Sequence, residues 1–253
     1  MSVVRQLSVS AVLLVLWQLA ATHDWLPVSA LAPPTEVWKV IVDAAKDGRL
    51  FDDVSVSLGR AVRGIVIGGA IGTALALVAG LSKIGEDIVE PPLQMYRMLP
   101  SLGLLPLLIG WVGIDEQLKV TMVVLGVIFP IYLNLSRGIR QIDPRLRQLA
   151  TSQDLGWLGL LRHVVLPGAL GPYLVGIRYS IGIAWLTLSV SETVNARNGI
   201  GYFLAQGRER SQTSVIIAGL VIYAVLGLLM ELLVRLAEKG LMPWRRDFRG
   251  AGA

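Results

Sequence analysis

The chain has 253 residues, 54% of them hydrophobic and only 16% charged, with a formal net charge of +5 and no cysteine. A soluble domain averages about 45–50% apolar and about 25% charged, so these totals argue against an ordinary soluble protein. The lack of cysteine excludes disulfides, thiolate catalysis and cysteine-based metal sites.

The apolar excess falls in blocks, and a bilayer-crossing helix needs roughly 20 mostly apolar residues. The first block runs from Val3 to Ala21. Its small-residue end would also suit a cleavable signal segment, but the run is long enough to remain as a span. Residues 23–57 differ. Pro27, Pro33 and Pro34 break helix, and Thr35 is the expected N-cap of a short amphipathic helix carrying Val37, Trp38, Val40 and Ile41 at a membrane surface. Asp43, Asp47, Asp52 and Asp53 are expected to keep this stretch out of the hydrocarbon.

The second block, Leu58 to Leu81, carries Gly64, Gly68 and Gly72 at four-residue spacing. In a helix these line one face, where small residues let a second backbone approach. Glycine is costly inside a helix, so the regular run favours packing over a flexible hinge. A polar segment follows (Lys83, Glu86, Asp87, Glu90), and Pro91-Pro92 is expected to start the next helix. The third block, Leu93 to Trp111, is interrupted by Pro100, Gly103 and Pro106. Proline in a membrane helix frees carbonyls that neighbours or a wet cavity must satisfy, which suits either a bent helix beside a pathway or a merely kinked one.

The fourth block is Leu118 to Leu135, the fifth Ala169 to Val190 and the sixth Val215 to Leu236. The expected architecture is an all-α polytopic membrane protein, a single domain over residues 1–253 with six spans and both termini on one side. Arg137, Arg140, Arg145, Arg147 and Arg162 lie between blocks four and five, and Lys239, Arg245, Arg246 and Arg249 follow block six. The tendency of Lys and Arg to stay cytoplasmic places both segments, and hence both termini, inside. These charges sit at block ends and form no basic-aromatic stripe, which argues against nucleic acid.

The segment between blocks four and five is too polar to cross and too patterned for a loose loop. Asp143-Pro144 reads as N-cap and first helical residue. Leu146, Leu149 and Ala150 follow at helical spacing, Gly156 interrupts, and an apolar face resumes from Leu158 until Leu166-Pro167 ends it. The pattern predicts two short helices joined by a glycine turn. Either they form a docking element or they make a surface hairpin that touches nothing.

This stretch resembles the cytoplasmic signature of binding-protein-dependent ABC importer permeases, in which Glu-Ala-Ala, three residues, Gly and then an apolar residue precede Leu-Pro. Arg97-Met98-Leu99-Pro100 with Leu104-Leu105-Pro106-Leu107 is similar to the third-span motif of the nitrate, sulfonate and taurine branch. Gly176-Ile177-Arg178 with Ala184-Trp185 resembles its fifth span, and Asn198-Gly199-Ile200-Gly201-Tyr202 its external Gly-Leu-Gly-Tyr turn. Two departures stand out. The Glu-Ala-Ala positions read Ala150-Thr151-Ser152, and Pro167 follows Gly156 about two residues sooner than in the family.

The resemblance implies an ABC permease fold in which residues 143–167 couple to a separate ATPase through Asp143, Pro144, Leu146, Ala150, Thr151, Ser152, Gly156, Leu166 and Pro167. It also implies a second permease subunit, giving a homodimer, and an extracytoplasmic substrate-binding protein. The chain would need no cofactor of its own, since ATP and Mg would sit on the ATPase, and no phosphate-binding Gly-x-x-x-x-Gly-Lys-Ser/Thr loop is present.

Ionisable residues within spans usually face a cavity. Arg178, about nine residues or roughly 13 Å into the fifth block, either meets an anionic solute or bonds to carbonyls freed in the third block. Glu192 is expected at the outer end of the same span as a gate or rim charge, with Trp185 beside the pathway and Arg97 snorkelling at the cytoplasmic end of the third. Ser189, Ser191 and Glu192 have no accompanying histidine, so an intramembrane hydrolase is disfavoured. The competing reading is a self-powered channel or secondary carrier, which would call for paired membrane carboxylates. The histidines, His23 and His163, lack a second ligand at metal spacing.

Overall fold

Residues 2–23, 31–153, 155–194 and 196–241 are described by a computed structural model, and every regular element among them is helical. The elements are α1 (Ser2–Thr22), α2 (Pro34–Lys46), α3 (Arg49–Leu81), α4 (Lys83–Met98), α5 (Leu105–Val112), α6 (Glu116–Arg140), α7 (Pro144–Ser152), α8 (Trp157–Leu160), α9 (Leu166–Glu192), α10 (Ile200–Glu209) and α11 (Thr213–Leu241).

Four helical stretches are long and apolar enough to cross a bilayer: Arg49–Leu81, Glu116–Arg140, Trp157–Glu192 and Thr213–Leu241. Counting Lys83–Met98 and Leu102–Val112 as one broken span makes five. The apolar described part of α1, Val12–Thr22, is shorter than a span. The expected six is therefore not reached among the described residues. The spans expose apolar side chains such as Val66, Ile67, Leu228 and Leu232, which suits a lipid solvent and would be costly in water.

The chain packs as two compact units, Met1–Arg60 with Leu188–Leu226, and Ala61–Thr187 with Gly227–Ala253. In the first, the amphipathic helix α2 packs through Val37, Val40 and Ile41, while Trp38 stays exposed. Val37 is buried with Phe203 and Ala218, and Val40, Ile41 and Ala44 pack around them. The N-cap of α2 is Pro33 in extended conformation, not Thr35. Pro34 presets the helical φ of the first turn, and the Thr35 amide donates instead to Gln18 Oε1 at 3.3 Å.

In the second unit α3 packs on α6 through its glycine face. A Cβ on Gly68 would lie 2.7 Å from the Val124 carbonyl oxygen, and one on Gly72 2.7 Å from that of Ile128. A Cβ on Gly64 would collide with the Val123 side chain. The bare backbone of α3 thus rests against the α6 main chain, the kind of contact that holds helices together where burial from water supplies no drive. Ala76, Ala79, Tyr132, Leu135 and Ile139 continue this core.

The polar segment before Pro91 corrects the expectation. It is the first half of α4, capped by Ser82, whose Oγ accepts from the Gly85 amide. Pro91 and Pro92 lie inside the helix. Its polar face is fastened to α6: Arg140 pairs with Glu86 and, at 3.2 Å, with Glu90, and Tyr96 OH donates to the Leu125 carbonyl at 2.7 Å. The helix continues through both prolines, tied to α6 on either side of them. The break comes later, where the axis turns by 84° between α4 and Leu102–Val112.

Candidate functional site

The segment 143–167 forms in the second unit. Asp143 Oδ1 accepts from the Arg145 amide at 2.8 Å and so caps α7. Ala150 is buried, whereas Leu146, Leu149 and Ser152 are exposed. Thr151 lies in α7, and its side chain lies outside the described residues, as does Asp154. Gly156 is the extended residue before α8.

Leu166-Pro167 does not end the second short helix. From Trp157 the helix runs through to Glu192, 36 residues without a stop. The reason is a π turn at Leu161–Val165, in which the Leu166 amide donates to the Leu161 carbonyl five residues back. The wider turn absorbs the fault that Pro167, with no N–H, would otherwise make in the ladder. Leu160, Leu161, Val164 and Val165 pack on the core around Ile139 and Ile142. Trp157 and Leu158 face outward, 60% and 75% exposed. Trp157 and Leu158 are thus two exposed apolar side chains at the head of a helix whose other face is packed.

Beside this segment is a cavity of about 500 Å³, lined by Thr73, Leu77, Leu135 and Tyr173 with Leu166 and Pro167 at its edge. At its wall the Thr73 hydroxyl donates to Tyr173 OH at 3.3 Å.

Of the pathway candidates, Arg97, Arg178 and Trp185 fall in the second unit and Glu192 in the first. Arg178 Nη2 donates to Glu238 Oε2 at 2.7 Å, and its Nε is buried with no hydrogen-bond partner. Trp185 is buried near Gly227. Arg97 is exposed, its guanidinium 5.7 Å from the Phe129 ring centre, at cation–π distance.

Glu192 is no rim charge. In the first unit it is fully buried and is the hub of a polar cluster. Arg60 Nη1 donates to its Oε1 at 2.7 Å. Ser57 Oγ lies 2.7 and 2.8 Å from its two oxygens. Tyr223 OH and the Gly201 amide donate to Oε2 at 2.7 and 2.8 Å. Arg60 also donates to the Asn198 carbonyl and to Asn198 Oδ1. Asp53, expected at the surface, is buried and accepts from the Gly199 amide at 2.7 Å. A buried charge is tolerable only when paired and hydrogen-bonded, and for Glu192 both conditions hold. Asp53, Ser57, Arg60 and Tyr223 were missed in the sequence. Asp53, Ser57 and Arg60 fall at i, i+4 and i+7, a polar stripe on one face of α3 running into an apolar block, and that stripe was the available signal.

A family model described as "Binding-protein-dependent transport system inner membrane component" matches residues 68–243. The chain is 36% identical over 246 residues to the putative aliphatic sulfonates transport permease protein SsuC of Bacillus subtilis strain 168, spanning 97% of this chain and 89% of that protein. It is 41% identical over 228 residues to the protein of the same name in Escherichia coli K12, spanning 90% and 87% of the two chains. It is 30% identical over 252 residues to the taurine transport system permease protein TauC of E. coli K12, spanning 96% and 92%.

Proposed function

The chain belongs to the family of binding-protein-dependent transport system inner membrane components, the permeases of ABC importers, and on that premise we propose that it carries a small oxyanion, an aliphatic sulfonate in the first place and taurine or nitrate as close alternatives, across the bacterial cytoplasmic membrane. The observation that carries this reading is the near full-length likeness to two sulfonate permeases, at 36% and 41% identity.

In this reading two copies pair, an extracytoplasmic binding protein delivers the solute, and ATPase subunits dock beneath residues 143–167. The termini and this segment are cytoplasmic, in line with the arginines that flank it. Exposed Leu146, Leu149, Trp157 and Leu158 supply the apolar part of the dock, in place of the glutamate that the segment lacks. Closure of the ATPases on ATP moves α7, and the spans switch between two packings biased by nucleotide and solute. The chain itself performs no hydrolysis.

Two measurements test this. The purified chain should bring an ATPase subunit with it, and uptake of labelled sulfonate should vanish when that ATPase is deleted. Uptake that persists would leave the self-powered carrier as the answer. For orientation, the natural absence of cysteine makes Arg145→Cys a clean reporter. It should react with a membrane-impermeant maleimide only after the cytoplasmic side is opened.

A further inference from the structure

The group of side chains around Glu192 has the chemistry of a binding site, not only of a packed core. Arg60, Ser57, Tyr223 and the Gly201 amide all aim protons at one carboxylate, at 2.7–2.8 Å. Arg60, Ser57 and Glu192 are completely buried, and Tyr223 is 8% exposed. Convergent, buried donors that include a guanidinium are what recognises an oxyanion.

The backbone is shaped for the same purpose. Gly199 has φ +106°, and a Cβ there would lie 2.6 Å from Arg60 Nη1 and 2.8 Å from Glu192 Oε1. A Cβ on Gly201 would collide with Glu192 itself. The glycines thus let the start of α10 close over the carboxylate, with Ser57 Oγ accepting from the Ile200 amide at 2.9 Å. The carboxylate is attached to the chain only through two methylenes, while nearly everything that holds it comes from α3, α10 and α11.

We propose that Ser57, Arg60, Gly201 and Tyr223 form a monoanion-binding site for carboxylates and sulfonates, whose resident ligand is the chain's own Glu192. Glu192 acts as a tethered anion that bolts the start of α10 to α3. A free anion of the same shape fills the site when the tether is cut back. The site does not depend on the identity of the transported solute.

The test uses the full permease–ATPase complex in lipid nanodiscs. Glu192→Ala should lower the thermal unfolding midpoint by several degrees. Sodium formate, acetate or methanesulfonate should restore much of it, saturably, while sodium chloride at equal ionic strength should not. Adding Arg60→Met to Glu192→Ala should abolish the rescue. No rescue above chloride, or rescue that survives loss of Arg60, overturns the proposal. Glu192→Asp guards against a variant that does not assemble. It keeps the charge but withdraws it by one methylene, so hydrogen exchange at Gly201 should quicken at least tenfold. Protection at the wild-type level there would equally overturn the site.

Discussion

Around Glu192 and along residues 143–167, the ordinary partition of side chains is inverted in opposite senses. At the first, an arginine, a glutamate, an aspartate, a serine and a tyrosine are buried, with donors facing acceptors. At the second, Leu146 and Leu149 on α7, and Trp157 and Leu158 at the head of the long helix that runs to Glu192, stand exposed. A buried polar cluster that satisfies itself needs nothing further, and changing it should damage the fold. If the exposed apolar surface is the proposed dock, changing it should damage assembly alone. The contrast separates what holds this permease together from the surface that the proposed function assigns to the ATPase.

The largest expected effect comes from Arg60→Met, which leaves Glu192 buried without its counter-charge. Losing one partner of a buried pair typically costs about 3–5 kcal/mol. Thermal unfolding of the purified complex should show it as a large drop in midpoint or as loss of folded protein. A midpoint within a degree or two of wild type would break the contrast on its structural side.

Next is a steric control away from both regions. Gly68→Leu drives a side chain into the Val124 backbone, and overpacking of this kind costs about 1–3 kcal/mol, occasionally more. Stability in detergent should fall, while the surviving folded fraction should still bind ATPase. Unchanged stability would show that α3 and α6 can separate there at no cost.

On the other side, Trp157→Ala combined with Leu158→Ala should leave the unfolding midpoint of the isolated permease unchanged. Aromatic anchors at interfaces are commonly worth 2 kcal/mol or more, so ATPase affinity should weaken by about 30-fold. Full-yield co-purification at low concentration would mean that these side chains face lipid or water instead.

The two regions were also unequally legible. The cap at Asp143-Pro144 could be read because its chemistry is local: the carboxylate and the amide it accepts from are two residues apart. The glycine face of α3 could be read because four-residue spacing maps directly onto one side of a helix. Glu192 could not be placed, since Arg60, which neutralises it, lies 132 residues earlier, and its position at a block end looked like a boundary with solvent. Pro91-Pro92 misled for the same reason. A proline pair locally argues for a helix start, while the Arg140 bridges that tie α4 to α6 come from 50 or more residues away. At Leu166-Pro167 the misreading was of a different kind. A π turn is a backbone solution that no side-chain pattern announces, so a helix that continues looked like one that stops.

Those Arg140 bridges give the smallest expected effect and the sharpest check on the contrast. Arg140 is charged and paired with two carboxylates, as Arg60 is with one, but its side chain is 28% exposed and those of Glu86 and Glu90 are 35% and 32% exposed. Water and salt screen such pairs, and partly exposed bridges are worth about 0–1 kcal/mol. Arg140→Gln should therefore shift the unfolding midpoint by no more than a few degrees, and raising salt from 50 to 500 mM should shrink the difference between variant and wild type further. Arg60→Met should show no such salt dependence, because its pair is sealed from the solvent. If Arg140→Gln proved as damaging as Arg60→Met, and as indifferent to salt, burial would not be what distinguishes the two ion pairs, and the weight placed on the sealed cluster around Glu192 would have to be shared with the α4–α6 contact.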